Sequence, residues 1–238
     1  MDAASYGGRE NLEAMEAAVN YNRSLVGLVE AYLPRAARVL DFGAGSGTLT
    51  RLLRDAGFDM LALEPDGALA GALESDGIPV EPRLDSIPDG TLGAIVSFNV
   101  LEHIEDDAAA LRSLHAKLCA GGRLLLYVPA FPLLYSSMDR KVGHFRRYRR
   151  RGLVSLLERS GFSVEAARHL DSLGFIAALA YRFAAPGDGV LQASAVRTYD
   201  RFLFPVSRMV DRLTAGAIGK NLFAVCTKRD RSVLRESR

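Results

Sequence analysis

One stretch decides the fold: residues 39–53 read VLDFGAGSGTLTRLL. It begins with apolar residues, which predict a β-strand, and ends with leucines at positions 49, 52 and 53, the spacing of a helix. Between them an acid precedes three glycines in the pattern Asp41-x-Gly43-x-Gly45-x-Gly47. Glycine accepts a positive φ and places no Cβ between the backbone and a ligand. The pattern predicts a strand, a tight turn and the start of a helix.

The turn favours a nucleotide-like ligand, because the free amides of a first helical turn and a bare backbone offer such a ligand a flat surface. Dinucleotide dehydrogenases use a similar turn, G-x-G-x-x-G. Laid on Gly43 and Gly45, that fingerprint requires a third glycine at position 48, where this chain has Thr48. The acid at Asp41 can instead face a cationic or amine-bearing ligand. A strand-to-helix turn without any ligand is the remaining alternative.

The composition is that of a globular protein with one elaborated domain. The chain has 238 residues, of which 49% are hydrophobic, and a net charge of +2, so the total charge does not indicate nucleic acid. Cys119 and Cys226 lack metal-ligand spacing and are typical of core residues in a reducing compartment. We find no signal peptide and no apolar run near the ~20 residues of a membrane span. We expect a cytoplasmic protein without a membrane span; peripheral membrane contact stays open.

Polar residues follow three of the predicted strands. Glu64 ends the second strand 21 residues after Gly43, where a carboxylate can accept both hydroxyls of a ribose. Asp85 follows a short third strand, predicted over residues 78–84, and a carboxylate there can accept from the exocyclic amine of an adenine. Asn99 ends the fourth strand, at the edge where ligands collect in parallel sheets. A solvated strand end or a plain loop acid is the alternative for each carboxylate.

With these residues in order, the sequence resembles the class I S-adenosylmethionine-dependent methyltransferases. The resemblance covers about residues 36–130 and includes N-x-L-E-H-I from Asn99 and a G-G-x-L stretch before the fifth strand. It implies an α/β fold: a Rossmann-like seven-stranded, mostly parallel sheet with helices on both faces and an antiparallel last strand. It also implies S-adenosylmethionine as the cofactor. The methionine part would lie by Asp41, Gly43 and Gly45, the ribose by Glu64, the adenine by Asp85 and Ser86, and the sulfonium by Asn99 and Val100. The full set of expected cofactor contacts is Tyr21, Asp41, Gly43, Ala44, Gly45, Glu64, Pro65, Asp85, Ser86, Asn99 and Val100.

The sequence as a whole is expected to divide into four segments. Residues 1–35 are expected to form an N-terminal helical lid, as two helices or one helix broken near residues 20–22, with Tyr21 either folding over the ligand or only packing. Residues 36–170 form the cofactor-binding domain. Residues 171–220 replace the short hairpin usual in the family; we expect two amphipathic helices around a turn at 186–189 that roof the substrate, form an oligomer face, rest on a membrane or add core. Residues 221–238 are the last strand and a charged tail.

The segment 135–148 follows the fifth strand and is expected to meet the methyl acceptor. It contains GHFRRY at residues 143–148, which resembles a G-H-x-R-R-Y signature of a subset of these enzymes found with genes for glycan or secondary-metabolite assembly. His144 is the first candidate for a general base and His103 the second, although either histidine can serve structure alone. The arginines suit an anionic acceptor or form a solvated face. The expected acceptor contacts are Tyr135, Asp139, His144, Arg146, Arg147 and Tyr148.

The sequence thus predicts a methyltransferase that acts on an oxygen, or a nitrogen, of a small molecule; a carbon acceptor stays open, and an anionic or sugar-linked molecule is one candidate. A nicotinamide-dependent oxidoreductase and a methyltransferase-like protein that binds without turnover are the alternatives. A nucleic acid substrate is not expected, since no N-P-P-[YF] tetrad follows the fourth strand. No metal site is predicted, and monomer and homodimer both stay open.

Overall fold

The protein was analysed as a computed structural model that describes residues 9–35, 37–184 and 192–229. Within these residues seven strands form one sheet in the order β3-β2-β1-β4-β5-β7-β6. Strand β7 is antiparallel to both neighbours, and the pairs among β1 to β5 are parallel. The strands are β1 (Arg38–Phe42), β2 (Asp59–Leu63), β3 (Val80–Glu81), β4 (Leu92–Phe98), β5 (Leu118–Pro129), β6 (Phe162–Leu170) and β7 (Asn221–Lys228). The predicted fold class is confirmed.

The helices cover the sheet on both faces. They are α1 (Arg9–Glu16), α2 (Val19–Glu30), α3 (Thr48–Asp55), α4 (Gly67–Ser75), α5 (Asp107–Lys117), α6 (Ser137–Lys141), α7 (Arg150–Arg159), α8 (Ser172–Ala184), α9 (Ala193–Thr198) and α10 (Phe204–Leu213). Single 3₁₀ turns cover Leu84–Ser86, Leu101–His103 and Pro132–Leu134, and a π-helical turn at Tyr199–Leu203 joins α9 to α10.

The core consists of two main apolar layers, one on each face of the sheet. Because side chains alternate along a strand, Leu124 and Leu126 of β5 pack on α5 and α7, whereas Leu125 and Tyr127 pack on α2, α3 and the insert. Strands covered on both faces read as continuous apolar runs, as β5 does. Because helices cover both faces of the sheet, the carboxyl ends of the parallel strands, where the polar residues lie, are held in place.

Some local predictions are wrong. The break between α1 and α2 lies at residues 17–18, not near 20–22, so Tyr21 is inside α2. Gly121 and Gly122, expected before the fifth strand, lie within β5, where the register of pairing to β4 shifts. The third strand has two residues instead of seven, because only Val80 and Glu81 pair with β2.

The insert is helical as predicted, and contacts tie its helices to one another and to α2. The carboxylate of Asp211 on α10 accepts hydrogen bonds from the backbone amides of Asp171 and Ser172 at 2.8 and 2.9 Å. Buried Phe204 packs edge-on against Tyr21, with ring centroids 5.5 Å apart. The predicted turn at 186–189 and the tail from residue 230 lie outside the described residues. Among the helices of the described ranges, none combines the length and apolar character needed to cross a membrane.

Candidate active site

A cavity of about 1040 Å³ opens at the carboxyl ends of β1, β2 and β4. Helices α1 and α2 and the insert enclose it on the side away from the sheet. The wall is largely apolar, with polar groups at its two ends. Of the predicted site residues, the wall contains Tyr21, Asp41, Gly43, Ala44, Glu64, Pro65, Asn99, Val100, His103, His144 and Arg147. The sequence motifs are therefore brought together in one space.

The glycine turn after β1 forms the floor at one end. Gly43 has φ +80°, and a Cβ there would lie 2.7 Å from both Cγ atoms of Val100. A side chain at this position would therefore both strain the backbone and push Val100 away. Gly45, at φ +57°, presents its amide to the carboxylate of Glu64 at 2.8 Å. Gly45 itself lies outside the cavity wall, as part of the turn's scaffold.

Asp41 is buried beneath this turn. Its Oδ2 accepts a 2.6 Å hydrogen bond from the hydroxyl of Thr50 on α3. Burial raises the pKa of Asp41 to about 6; the Thr50 hydrogen bond opposes this rise, and the nearby Glu64 charge adds to it. The acid that opens the motif thus ties the strand to the helix that follows.

Glu64 connects the glycine turn to the end of β2. One carboxylate oxygen accepts from the amide of Gly45 at 2.8 Å and the other from the amide of Asp66 at 2.9 Å. Burial raises its pKa, and these two hydrogen bonds act against the rise. Each carboxylate oxygen has a second lone pair, so the group can still accept from two hydroxyls of a ligand.

A hydrogen-bonded group of side chains closes the cavity above β4. Asn99 has φ +56°, and its backbone N–H donates to the backbone carbonyl of Tyr127 at 2.7 Å. The hydroxyl of Tyr21 is hydrogen-bonded to the side chains of Tyr127 and Asn99, and Asn221 donates to the Tyr127 hydroxyl at 2.9 Å. Burial is the main cause that raises the pKa of Tyr21 to about 12. Tyr21 therefore links α2 to β5 and to the residue that follows β4.

Two residues expected at the adenine lie outside the cavity wall. The side chain of Asp85 is 83% exposed and pairs with Arg83 at 3.3 Å. The hydroxyl of Ser86 donates to Glu81 and to the carbonyl of Arg83. Both side chains lie in the 3₁₀ turn after the short β3 and bind nearby residues of the same segment. Their position does not support the predicted adenine contact.

The opposite end of the cavity contains Glu102, His103 and His144. Nδ1 of His144 lies 2.7 Å from Oδ1 of Asp139, and its Nε2 lies 3.7 Å from Oε1 of Glu102. The imidazole rings of His103 and His144 meet edge to face, with centroids 4.6 Å apart. Burial raises the pKa of Glu102 to about 8, and burial followed by the proximity of His144 lowers the pKa of His103 to about 4.

Asp139 organises this end from behind the wall. It is 1% exposed and accepts from Arg147 at 2.8 and 3.0 Å and from the amide of Ser136 at 2.8 Å. Burial alone would raise its pKa, but the hydrogen bonds from His144 and Arg147 lower it to about 2. The ionised carboxylate therefore accepts a proton from Nδ1 of His144, which orients the ring so that Nε2 is directed toward Glu102.

Three other predicted acceptor contacts face away from the cavity. The Tyr148 hydroxyl donates to Asp107 at 3.0 Å in the core, and burial raises its pKa. Arg146 pairs with the same Asp107 at 3.0 Å. The Tyr135 hydroxyl donates to the carbonyl of His144 at 2.7 Å. Their positions fit a role in holding the 143–148 loop and do not support contact with the acceptor.

The insert brings further polar residues to the wall. Asp171 is 1% exposed, and its Oδ1 accepts from the hydroxyls of Tyr199 and Ser207 at 2.5 and 2.9 Å. Nζ of Lys220 lies 3.4 Å from the other oxygen of Asp171. No motif marks these residues. Glu102 belongs to the N-x-L-E-H-I match, but the sequence assigned it no role. Its position directly before His103, a candidate base, was the one signal that could have identified it as a site residue.

Comparison with known proteins identifies the family. Residues 13–167, more than half of the chain, match the model of a methyltransferase domain. A ubiquinone biosynthesis O-methyltransferase of Xanthomonas axonopodis pv. citri is 32% identical over 39% of this chain and 43% of its own length. A "Probable S-adenosylmethionine-dependent methyltransferase" of Mycolicibacterium smegmatis is 28% identical over 67% of this chain and 63% of its own length. The chain thus spans about half the length of these relatives.

Solved structures agree on the fold. An S-adenosylmethionine-dependent methyltransferase of Archaeoglobus fulgidus is 16% identical, with a TM-score of 0.57 over 87% of this chain and 94% of its own. The 1,6-didemethyltoxoflavin-N1-methyltransferase of Burkholderia thailandensis, solved with its substrate and S-adenosylhomocysteine, is 18% identical, with a TM-score of 0.59 over 95% and 84%. Together with the glycine turn and Glu64 on one cavity, these matches place the chain in the class I S-adenosylmethionine-dependent methyltransferases, with S-adenosylmethionine as its cofactor.

Proposed function

We propose that the protein methylates an oxygen, or a nitrogen, of a small molecule bound at the Glu102–His103–His144 end of the cavity. One observation carries the proposal: the glycine turn with Glu64 and the cluster of Glu102, His103 and His144 line the same cavity. Its volume, about 1040 Å³, is at the upper end of the range for ligand pockets, which leaves room for a cofactor and a small acceptor together.

The cofactor end fits a nucleoside with an amino acid attached. The bare backbone at Gly43 permits close approach, and the Glu64 carboxylate offers free lone pairs to ribose hydroxyls. Asn99 and Val100 line the same cavity, and Val100 lies against Gly43. When bound, S-adenosylmethionine supplies an electrophilic methyl group, so the protein's work is to align the acceptor and to assist loss of its proton.

The acceptor end fits a molecule with an apolar body and one hydroxyl or amine. Much of the wall is apolar, including Leu134, Met138 and Tyr181. The described lysine and arginine of the wall each face a carboxylate: Arg147 is bound to Asp139, and Lys220 lies beside Asp171. We therefore propose a neutral acceptor instead of the anionic one that the arginine-rich loop predicted.

Names of similar proteins agree with this class of acceptor. One relative is an O-methyltransferase of ubiquinone biosynthesis, and one structural neighbour is an N1-methyltransferase of 1,6-didemethyltoxoflavin. Participation in glycan or secondary-metabolite assembly and a cytoplasmic location stay predictions from the sequence.

We further propose that residues 9–30 and the insert form a lid and a roof over the bound molecules. Asn11, Leu12 and Met15 of α1 and Tyr21 of α2 line the cavity on one side, and residues 174–181 of α8 line it on another.

The decisive experiment measures S-adenosylhomocysteine formation from S-adenosylmethionine with panels of neutral phenols, amines and carboxylated analogues. We expect turnover with at least one neutral hydroxyl or amine compound and none with its methylated form. Tight binding of S-adenosylhomocysteine by calorimetry without turnover on any panel would instead favour a protein that binds without catalysis.

A further inference from the structure

We propose that Glu102, His103 and His144 together bind a divalent transition-metal ion at the acceptor end of the cavity. This inference rests on the proposed function only for the role of the ion, since binding itself is measurable without the reaction. It deepens that function, because it gives these three side chains a common task.

The three side chains already converge. One ligand atom from each, a carboxylate oxygen and two imidazole nitrogens, lies within 4.8 Å of the others. Two histidines and one carboxylate are a common ligand set for Zn²⁺ and for other divalent ions of the first transition series. Because all three residues line the cavity, the positions left open on such an ion would face the ligand space.

Glu102 is a buried carboxyl group whose oxygens are left without partners within the described ranges. The residue is 0% exposed, and neither carboxylate oxygen has a hydrogen-bond partner on another described residue. Its closest cationic candidate, Nε2 of His144, is 3.7 Å from Oε1, beyond hydrogen-bond distance. A buried carboxyl group without a partner is costly, and an ion between Glu102 and the two rings would provide one.

His144 is held as metal ligands usually are, and the His103 ring is also hydrogen-bonded to the protein. His144 is bound through Nδ1 to the Asp139 carboxylate, which Arg147 and Ser136 fix in turn. His103 is hydrogen-bonded to the backbone of Val142 and Gly143. In metal sites the second ring nitrogen of a ligating histidine is typically bound to a carboxylate or a backbone carbonyl, which orients the ring.

The ion would change how the acceptor loses its proton. With three protein ligands, it keeps at least one position for an acceptor oxygen, and coordination lowers the pKa of that hydroxyl so that its proton passes to solvent. His144 is then a ligand and not the free general base that the sequence predicted. Asp139 is a positioning residue that sets the direction of the His144 Nε2 lone pair.

The test is calorimetric titration of Zn²⁺ and Co²⁺ into untagged, chelator-treated protein, with the visible absorption of Co²⁺ as a second readout. We expect one equivalent to bind wild type. Glu102→Gln keeps the shape and removes the charge, and His144→Ala removes a ligand; both should weaken binding by at least about tenfold, as should Asp139→Asn. His115→Gln, a change of a histidine on α5 away from the cavity, should bind as wild type does.

Absence of binding to wild type, or equal binding by Glu102→Gln and wild type, would overturn the inference. Thermal unfolding of each variant shows whether it is folded, and the isosteric Glu102→Gln keeps the test valid if His144→Ala does not fold. S-adenosylhomocysteine affinity is measured on the same metal-free protein. If the protein binds S-adenosylhomocysteine and turns over without binding metal, the metal site is refuted and the proposed function stands. If it binds metal but transfers no methyl group, the proposed reaction is refuted.

Discussion

The backbone amide of Tyr21 donates a 2.8 Å hydrogen bond to Oδ1 of Asp200, which follows it by 179 positions in the chain. The other oxygen of the same carboxylate accepts from the amide of Asn20 at 2.9 Å. These amides belong to the first turn of α2, and Ala18, the residue before the helix, provides no side-chain cap. The insert therefore supplies the cap of a helix that covers the cavity.

Removal of this cap should loosen the lid. We predict that Asp200→Ala lowers the free energy of unfolding by about 1–2 kcal/mol, because two backbone amides lose their acceptor, and that Asp200→Asn loses less. Urea unfolding followed by circular dichroism measures both. Asp106→Ala removes the cap of α5 and is the control: it should cost stability without weakening S-adenosylhomocysteine binding, which Asp200→Ala should weaken. Equal affinities in the two variants would contradict the link to Tyr21.

Glu64 should dominate cofactor affinity. We predict that Glu64→Gln weakens S-adenosylhomocysteine binding about ten- to hundredfold, because a charged acceptor contributes roughly 1.5–3 kcal/mol and also holds the glycine turn. Asp85→Asn, which alters a carboxylate outside the wall, should bind within about twofold of wild type. Isothermal titration calorimetry compares the three proteins. A large loss in Asp85→Asn with none in Glu64→Gln would reverse our assignment.

Asp41 should make stability depend on pH. Its folded pKa, raised by burial from 3.8 to about 6, means that the folded state holds the proton more tightly than the unfolded state does. The stabilising contribution is complete below about pH 4 and is lost as pH rises to about 6. Asp41→Asn cannot titrate, so its stability relative to wild type should increase across this window by up to about 3 kcal/mol, at roughly 1.4 kcal/mol per pKa unit.

Urea unfolding of both proteins at several pH values between about 4 and 7 tests this prediction. Thr50 can still donate to the amide oxygen of Asn at position 41, so that hydrogen bond is expected in both. Glu64, the other titratable group facing Asp41, is present in both proteins and serves as a common background. A pH-independent difference between the two would show that Asp41 titrates normally.

The Asp139–Arg147 pair should be strongly coupled. Both side chains are buried and joined by two hydrogen bonds, so loss of one partner leaves the other charge uncompensated. We predict a coupling free energy above about 2 kcal/mol in a double-mutant cycle of Asp139→Asn and Arg147→Gln. The exposed pair Arg83–Asp85, in the matching cycle, should give less than about 1 kcal/mol. Similar values for the two cycles would contradict the prediction.

Local patterns predicted the sheet well and the short elements poorly. The runs that became β1, β2, β4 and β5 are apolar because both faces of the sheet are covered, and this pattern does not depend on distant residues. The third strand and the break before α2 were misplaced, because β2 pairing limits β3 to two residues and the capping of α2 depends on Asp200. A sequence window contains neither partner.

The sequence alone determined the fold family, the glycine turn and the acids that follow it, because a tight turn and a buried strand impose residue types at fixed spacing. The tertiary structure alone decided which polar residues face the cavity. It directed Tyr148 and Arg146 toward Asp107, left Asp85 in solvent, and brought Glu102, His103, His144, Asp171 and Lys220 to the wall. The direction of a side chain depends on partners far away in the chain, and spacing along one segment does not encode those partners.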